Sequence, residues 1–386
     1  MYSITLGSGN NKKILHKLNK FTLAIIASSI SFIIGKNATY KTIDIIRVII
    51  YASIRKLTVE GSSEELINLG KGVICSPDVV QRRIHQKSEL EILTAFRKSL
   101  DNICNILWKT RLLLHRVTVA IDFTDKLYYG DKNDQGVIGT KYQRGTKYCF
   151  RYITLSIVIG EVKIVLQALP VKPFSDKAKL VDRLLSEAEK KIRINLVLLD
   201  RSFFTKDVIQ ILDKHRLRFL LPVPKNKLIK KMIKQSHKNK NYVSTYKFKQ
   251  GKKVVGSFTV FVILNPDSEE KQIWKRYHVF GTNLPVTNSN RQIFAEIYRK
   301  RWNIETSFRV EKNDFLAETT SKSYKFRLFL FLVSIILYDL WMITRTMIGD
   351  MFYVRRWKIS LYLFLYTWSC KSFNVFDEVR INIAIF

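Results

Sequence analysis

The sequence predicts a mixed α/β sheet preceded by a helical N-terminal domain, and three observations predict it. Apolar residues recur at helical spacing, with little alternation, from about Lys12 to Arg116. At Val117 the pattern switches to the period of two expected of strands. From there the order reads three strands, helix, strand, helix, strand, which is an α/β sheet with mixed pairing. A chain of 386 residues with 47% hydrophobic content has room for two or three domains with real cores.

The N-terminal domain is expected over residues 1–115, its helices joined by turn-forming stretches such as "EGSSEE" and "LGKG". Within it, "SPDVVQRRIHQK" offers Ser76 as a helix cap and Pro77 at the first helical position, with Gln81, Arg82, Arg83 and His85 on exposed turns. This suits the second helix of a helix-turn-helix, where Arg82 and Arg83 would contact DNA. A capped surface helix with solvated charges is the plainer alternative.

Residues 116–224 carry the sheet pattern. "VTVAIDFTD" alternates as a strand, and "YCFRYITLSIVIGEVKIVLQALPV" reads as two more that turn at Gly160, so that all three could pair antiparallel. "SDKAKLVDRLLSEAEKK" places Ala178, Val181, Leu184, Leu185 and Ala188 on one helical face behind a Ser175 or Asp176 cap. "INLVLLD" is a nearly continuous apolar run ending in Asp200, as a strand buried on both faces requires. "KDVIQILDKH" and "LRFLLPV" add a helix and a strand. Residues 225–288 then read as a basic, strand-rich insertion, with eleven lysines and no acidic residue between Lys225 and Val254. A late helix follows in 289–346, and the tail 347–386 is one more packing helix or a dimer surface.

The charge balance narrows the partners. Against 32 Asp+Glu stand 66 Lys+Arg, a formal net charge of +34 that attracts polyanions, above all nucleic acid, with anionic membrane as the rival. Two apolar runs test the rival. "FTLAIIASSISFIIG" from Phe21 follows basic residues as a signal peptide would, but serines dilute it and no small-residue cleavage site follows. "LFLFLVSIILY" from Leu328 stops at Asp339, short of the ~20 apolar residues a span requires. Both read as buried helices, and no membrane association is expected. Cys75, Cys104, Cys149 and Cys370 lack paired spacing, no two histidines sit at metal-ligand spacing, and there is no glycine-rich phosphate loop. Zinc, disulfide and nucleotide-loop chemistries are therefore disfavoured, and a reducing cytoplasm is expected.

Asp122 lies in the first strand, Asp200 at the end of the fourth, and Glu305 on the late helix, 78 and then 105 residues apart. A sheet in which the first and fourth strands are neighbours would bring the aspartates together, and a helix packed across them could add Glu305. Three carboxylates so close repel one another unless a cation neutralises them. Oxygen-only ligands suit Mg²⁺ or Mn²⁺, and two such ions ~4 Å apart can activate a water or a 3′-hydroxyl at a phosphodiester and stabilise the leaving oxygen. On the same helix, in "YRKRWNIETSFRVEK", Tyr298, Arg301, Glu305 and Lys312 fall within roughly 60° of arc along about 21 Å. Glu305 would bind metal, while Tyr298, Arg301 and Lys312 would hold phosphate oxygens.

The spacing Y-x2-R-x3-E-x6-K resembles the signature of DDE transposases of the insertion-sequence-four type, and this chain matches every position of it. "VTVAIDFTD" and "VLLDRSFF" look like that family's two aspartate blocks, and the strand-rich insertion is similarly placed, so the resemblance covers roughly Val117 to Leu330. It implies a ribonuclease-H-like core with Asp122, Asp200 and Glu305 as catalytic metal ligands, two Mg²⁺ ions for which Mn²⁺ can substitute, and cut-and-paste movement of a DNA element. The implied partners are double-stranded DNA, as terminal inverted repeats and as target, and a second copy of the chain in a synaptic homodimer. The implied place is the nucleoid in the cytoplasm. A ribonuclease-H-like nuclease that cuts without joining, and a non-catalytic DNA-binding descendant of a transposase, are the alternatives.

Within these blocks, Asp125 competes with Asp122, but strand alternation points the two to opposite faces and Asp122 is preferred. Arg201 is a phosphate contact or a salt-bridge partner. Trp302 stacks on bases or packs its helix.

Overall fold

The computed structural model describes residues 4–5, 25–69, 73–109, 111–160, 162–250, 253–299, 301, 315–351 and 382–383. The chain divides into two compact units. One comprises Met1–Leu112, Leu127–Tyr148 and Ser307–Phe386, the other Leu113–Lys126 and Cys149–Thr306.

The first unit is mainly helical. Among the described residues its longer helices are α1 (Thr42–Arg55), α2 (Val59–Asn68), α3 (Pro77–His85), α4 (Glu89–Lys109) and, much later in the chain, α9 (Tyr324–Met351). Each short helix follows a local start signal. The Thr58 side chain accepts from Gly61 N at 3.2 Å at the start of α2, and Pro77 opens α3. Ser76 occupies the cap position of α3, as expected, yet its side chain makes no capping hydrogen bond. Arg82 is exposed, and Arg83 is half-buried with its guanidinium on Gln86 at 3.2 Å. In α4 the buried Ile92, Phe96, Leu100, Ile103, Cys104 and Leu107 repeat at three- and four-residue intervals, the spacing of a one-sided helix.

Helix α9 corrects the expectation drawn from "LFLFLVSIILY". The helix continues on both sides of that run, and Tyr324–Arg345 is long and apolar enough to cross a membrane by length and composition. Of its most apolar window, 94% is buried inside the protein, against α1, α3 and α4. The stripe is apolar on all sides because neighbours surround it.

The second unit holds the sheet: β1 (Val117–Tyr128), β3 (Thr146–Ile159), β4 (Val162–Val171), β5 (Ile194–Leu199), β6 (Phe219–Pro222), β7 (Val243–Gln250), β8 (Lys253–Leu264) and β9 (Tyr277–Thr282). The last residues of β1 and the first of β3 belong to the first unit, as does β2 (Ile138–Gln143), a short strand absent from the sequence reading. In the second unit the strands run β4-β3-β1-β5-β6-β9-β8-β7. β1 pairs with β5, and β5 with β6, in parallel, whereas β3 and β4 are antiparallel about the turn at Gly160, whose φ of +58° favours glycine. This mixed order is a ribonuclease-H-like sheet.

The helices of this unit are α5 (Lys177–Glu189), α6 (Lys206–Lys214), α7 (Lys227–Asn239) and α8 (Arg291–Arg299). On α5 the buried face is Ala178, Val181, Leu184, Leu185 and Ala188, and Asp176 is its cap, accepting from Ala178 N at 2.8 Å and Lys179 N at 3.2 Å. The region expected as a strand-rich insertion begins instead with a helix. Ile229, Ile233 and Ser236 recur at intervals of four and three and face inward, so the lysines between them line the outer face of α7. Its strands also extend the main sheet, since β9 pairs antiparallel with β6 and then with β8.

Candidate active site

The parallel register of β1 and β5 creates the site. Ile121 lies opposite Leu199, so the residues that follow them, Asp122 and Asp200, emerge side by side from strands about 4.8 Å apart. Asp200 follows the last residue of β5 and caps a short 3₁₀ helix (Arg201–Phe203), where its carboxylate accepts from Ser202 N at 3.4 Å. Asp122 sits within β1, with Oδ1 on Phe123 N at 2.8 Å. Its side chain is 13% exposed, against 39% for Asp200, so one carboxylate lies in the protein and the other at its surface.

Helix α8 supplies the groups that cover them. Ala295 and Tyr298 form its buried face, and Arg301 follows in the next turn, its N–H on the Tyr298 carbonyl at 2.9 Å. The Tyr298 hydroxyl donates to Leu199 O at 3.1 Å and accepts from Arg301 Nε at 2.8 Å. The guanidinium, 4% exposed, then reaches both aspartates: Nη1 meets Asp122 Oδ2 at 2.6 Å and Nη2 lies 3.7 Å from Asp200 Oδ1. One planar cation thus offsets the repulsion of two adjacent carboxylates. Burial pushes the Tyr298 phenol far above its usual range, only partly opposed by Arg301, so the hydroxyl is a fixed donor.

Tyr298 and Arg301 were expected to grip phosphates. The structure turns both inward, onto the Leu199 carbonyl and the aspartates. Helical spacing identifies which side chains share a face, but the sheet decides whether that face is covered. Glu305, Trp302 and Lys312 lie outside the described residues. Arg201 is exposed and has no carboxylate within ion-pairing distance among the described residues, leaving it open to an anion. Arg82 and Arg83 belong to the helical unit.

Asp125 points away from this cluster and forms a two-point ion pair with Arg151, at 2.6 and 2.7 Å. The same side of the sheet carries Phe123 stacked on Phe203, with centroids 4.7 Å apart. The Lys177 ammonium lies 5.9 and 5.7 Å from those rings and donates to the Ser202 carbonyl. Burial lowers the pKa of Lys177, aided by Arg151 and opposed by Asp200, which places its charge close to the site.

The sequence reading did not anticipate Lys163. It is 2% exposed on β4, its Nζ has no hydrogen-bond partner among the described residues, and burial, then the charge of Arg301, lowers its pKa to about 7. A lone lysine inside the apolar run "VKIVL" was the available signal.

Asp122 and Asp200 fit a divalent cation. Both offer carboxylate oxygens, and their separation already lets a single cationic side chain touch the two. Among the described residues no three His, Cys, Asp or Glu side chains converge as metal ligands.

Three comparisons bear on the family. The transposase DDE domain matches residues 115–338, more than half of the chain. No curated protein matches the sequence. Among solved structures, the chain is similar to the piggyBac transposase in its synaptic complex with hairpin DNA, at 12% identity and a TM-score of 0.55, over 94% of this chain and 77% of that one. Such a likeness shows a shared fold. The Mos1 strand transfer complex matches at 17% identity over 48% of this chain and 59% of that one, but its TM-score of 0.18 carries no argument about fold. The domain match spans the sheet, both aspartates and the helix that covers them, and the chain therefore belongs to the transposase DDE domain family.

Proposed function

We propose that this transposase is of the insertion-sequence-four type, that it binds the terminal inverted repeats of its own element, and that it moves the element by cutting and rejoining DNA. The observation that carries the reading is the pairing of Asp122 with Asp200 on parallel strands, under the helix Arg291–Arg299, which Glu305 follows in sequence. Asp122, Asp200 and Glu305 would hold divalent cations, two Mg²⁺ or Mn²⁺. When bound, these ions would activate the attacking water or 3′-hydroxyl and stabilise the leaving oxygen of the phosphodiester.

The chain's own residues do the positioning. Tyr298 fixes Arg301 through Nε, and Arg301 holds the two carboxylates at a constant separation. Outside them, Arg201 and Lys177 give the rim a positive charge that draws a phosphate backbone toward the aspartates. Catalysis of this kind rests on placement and charge neutralisation. The rest of the reading is a homodimer that holds two element ends, and action on the nucleoid in the cytoplasm.

The test is cleavage and joining of labelled duplex carrying the repeats that flank the gene, in Mg²⁺ or Mn²⁺, by the wild type, Glu305→Gln and Asp122→Asn. The expected result is metal-dependent cutting at the repeat ends followed by joining, lost in both variants while binding persists. Cutting without joining would replace this reading by a nuclease. Binding without chemistry in the wild type would leave a DNA-binding descendant.

A further inference from the structure

Between β4 and α5 the loop "VKPFSDK" carries Phe174 fully exposed, at 105% relative accessibility, the highest among the exposed large apolar side chains. Its backbone has a φ of +62°, a left-handed conformation that disfavours side chains with a Cβ. Every other described non-glycine residue with positive φ is a lysine or an arginine, whose end can remain in water. The turn is pinned rather than loose, since Lys172 N donates to Ser175 Oγ at 2.9 Å and Ser175 N to the Lys172 carbonyl at 3.1 Å. Phe174 thus combines backbone strain with an unburied ring, and neither is repaid among the described residues. Strain kept at a position without internal return points outward, to a ligand.

The position of the loop indicates which ligand. β4 ends at Val171, opposite Arg151, and Arg151 binds Asp125 three residues beyond Asp122. Lys177, three residues past Phe174, reaches the carbonyl of Ser202, two residues past Asp200. The loop therefore leaves the sheet near the C-terminal end of β1 and returns beside the 3₁₀ turn that follows Asp200. The loop and the first turn of α5 carry Lys172, Lys177 and Lys179 against one acid, Asp176, and Lys172 and Lys179 are exposed. A fully exposed ring on a segment of net positive charge complements a nucleic acid, whose bases accept the ring and whose phosphates accept the lysines, better than it does an apolar protein face.

We propose that Phe174 is a wedge that inserts into the base stack of duplex DNA next to the phosphodiester held at Asp122 and Asp200. This rests on the DNA reading above and adds a positioning residue to it. A ring inserted there would unstack the neighbouring base pair and fix the register of the strand to be cut. The strained backbone presents the ring at a set angle.

The experiment uses the full chain and the flanking-repeat duplex with 2-aminopurine next to the cleaved bond, in Ca²⁺ to restrict the reaction to binding. The wild type, Phe174→Ala, Phe174→Trp and Phe174→Gly are compared by fluorescence, affinity and thermal unfolding. The wild type should brighten 2-aminopurine on binding, and Phe174→Trp should keep the rise. Phe174→Ala should lose it and weaken binding on the order of tenfold. Phe174→Gly should lose both as well, yet unfold a few degrees higher because glycine relieves the strain. Full brightening and affinity in Phe174→Ala overturns the wedge while leaving the DNA reading intact. A change of oligomeric state in Phe174→Ala at unchanged affinity overturns it in favour of a protein contact. Failure of the wild type to bind the duplex overturns the DNA reading and the wedge with it.

Discussion

Replacing Arg301 with methionine tests the site at its centre. The substitution keeps the length of the side chain and removes the cation that reaches Asp122 at 2.6 Å and Asp200 at 3.7 Å. The two contacts are not equal. Asp122 is 13% exposed and would be left as a nearly buried, unneutralised charge, whereas Asp200, at 39%, recovers much of its solvation from water. Breaking a buried pair by removing one partner costs about 3–5 kcal/mol, and a partly solvated second carboxylate adds little, so the expected loss is ~3 kcal/mol. Urea unfolding at pH 7 in EDTA measures it. Asp122→Asn in the Arg301→Met background should recover on the order of 2 kcal/mol, a coupling that only a direct interaction produces. Divalent cation at about a hundred times its dissociation constant should stabilise the single variant by ~2.7 kcal/mol, because the ion binds only the folded pair. Strict additivity of the two substitutions, or a loss below about 1 kcal/mol, would refute the argument that Arg301 neutralises the aspartates.

Other outcomes follow from the same geometry. Lys163→Met should stabilise the protein by on the order of 3 kcal/mol at pH 7, because a lysine whose pKa falls from 10.5 to about 7 on folding must give up its charge or bury it. Between pH 7 and 10.5 the unfolded wild type carries a proton that the folded state lacks, so wild-type stability rises with pH and the advantage of the variant vanishes near pH 10.5. Denaturant titrations at pH 7, 8.5 and 10 check this, and a pH-independent difference would contradict it. Tyr298→Phe removes a hydroxyl that both donates to Leu199 and accepts from Arg301, and should cost about 1–3 kcal/mol in the same assay. Asp125→Asn should leave metal-dependent cleavage largely intact while Asp122→Asn abolishes it, since Asp125 faces Arg151 rather than the site. Equal loss in both, compared on the labelled duplex, would reassign the first carboxylate.

Much of this protein is legible in its sequence because local rules set it. The alternation of "VTVAIDFTD" makes β1 and separates Asp122 from Asp125 by face, the apolar run "INLVLL" makes a strand buried on both sides, and the spacing of Ala178 to Ala188 gives the buried stripe of α5 residue for residue. The sequence also puts Asp122 and Asp200 at strand positions where a neighbouring pairing would join them. Whether those strands are neighbours is a matter of long-range pairing, and only the register of Ile121 with Leu199 decides it. The same holds for the late helix, where periodicity groups Tyr298 with Arg301, but burial against the sheet turns both from the solvent toward the aspartates. Lys163 stands out as a lone charge in "VKIVL", but that the sheet buries it is decided by tertiary packing, as is the joining of β9 to β6. Periodicity specifies the face on which a side chain lies, within one element. What covers that face depends on elements up to 179 residues away, as in the contact of Arg301 with Asp122, and such contacts exist only once the chain has folded.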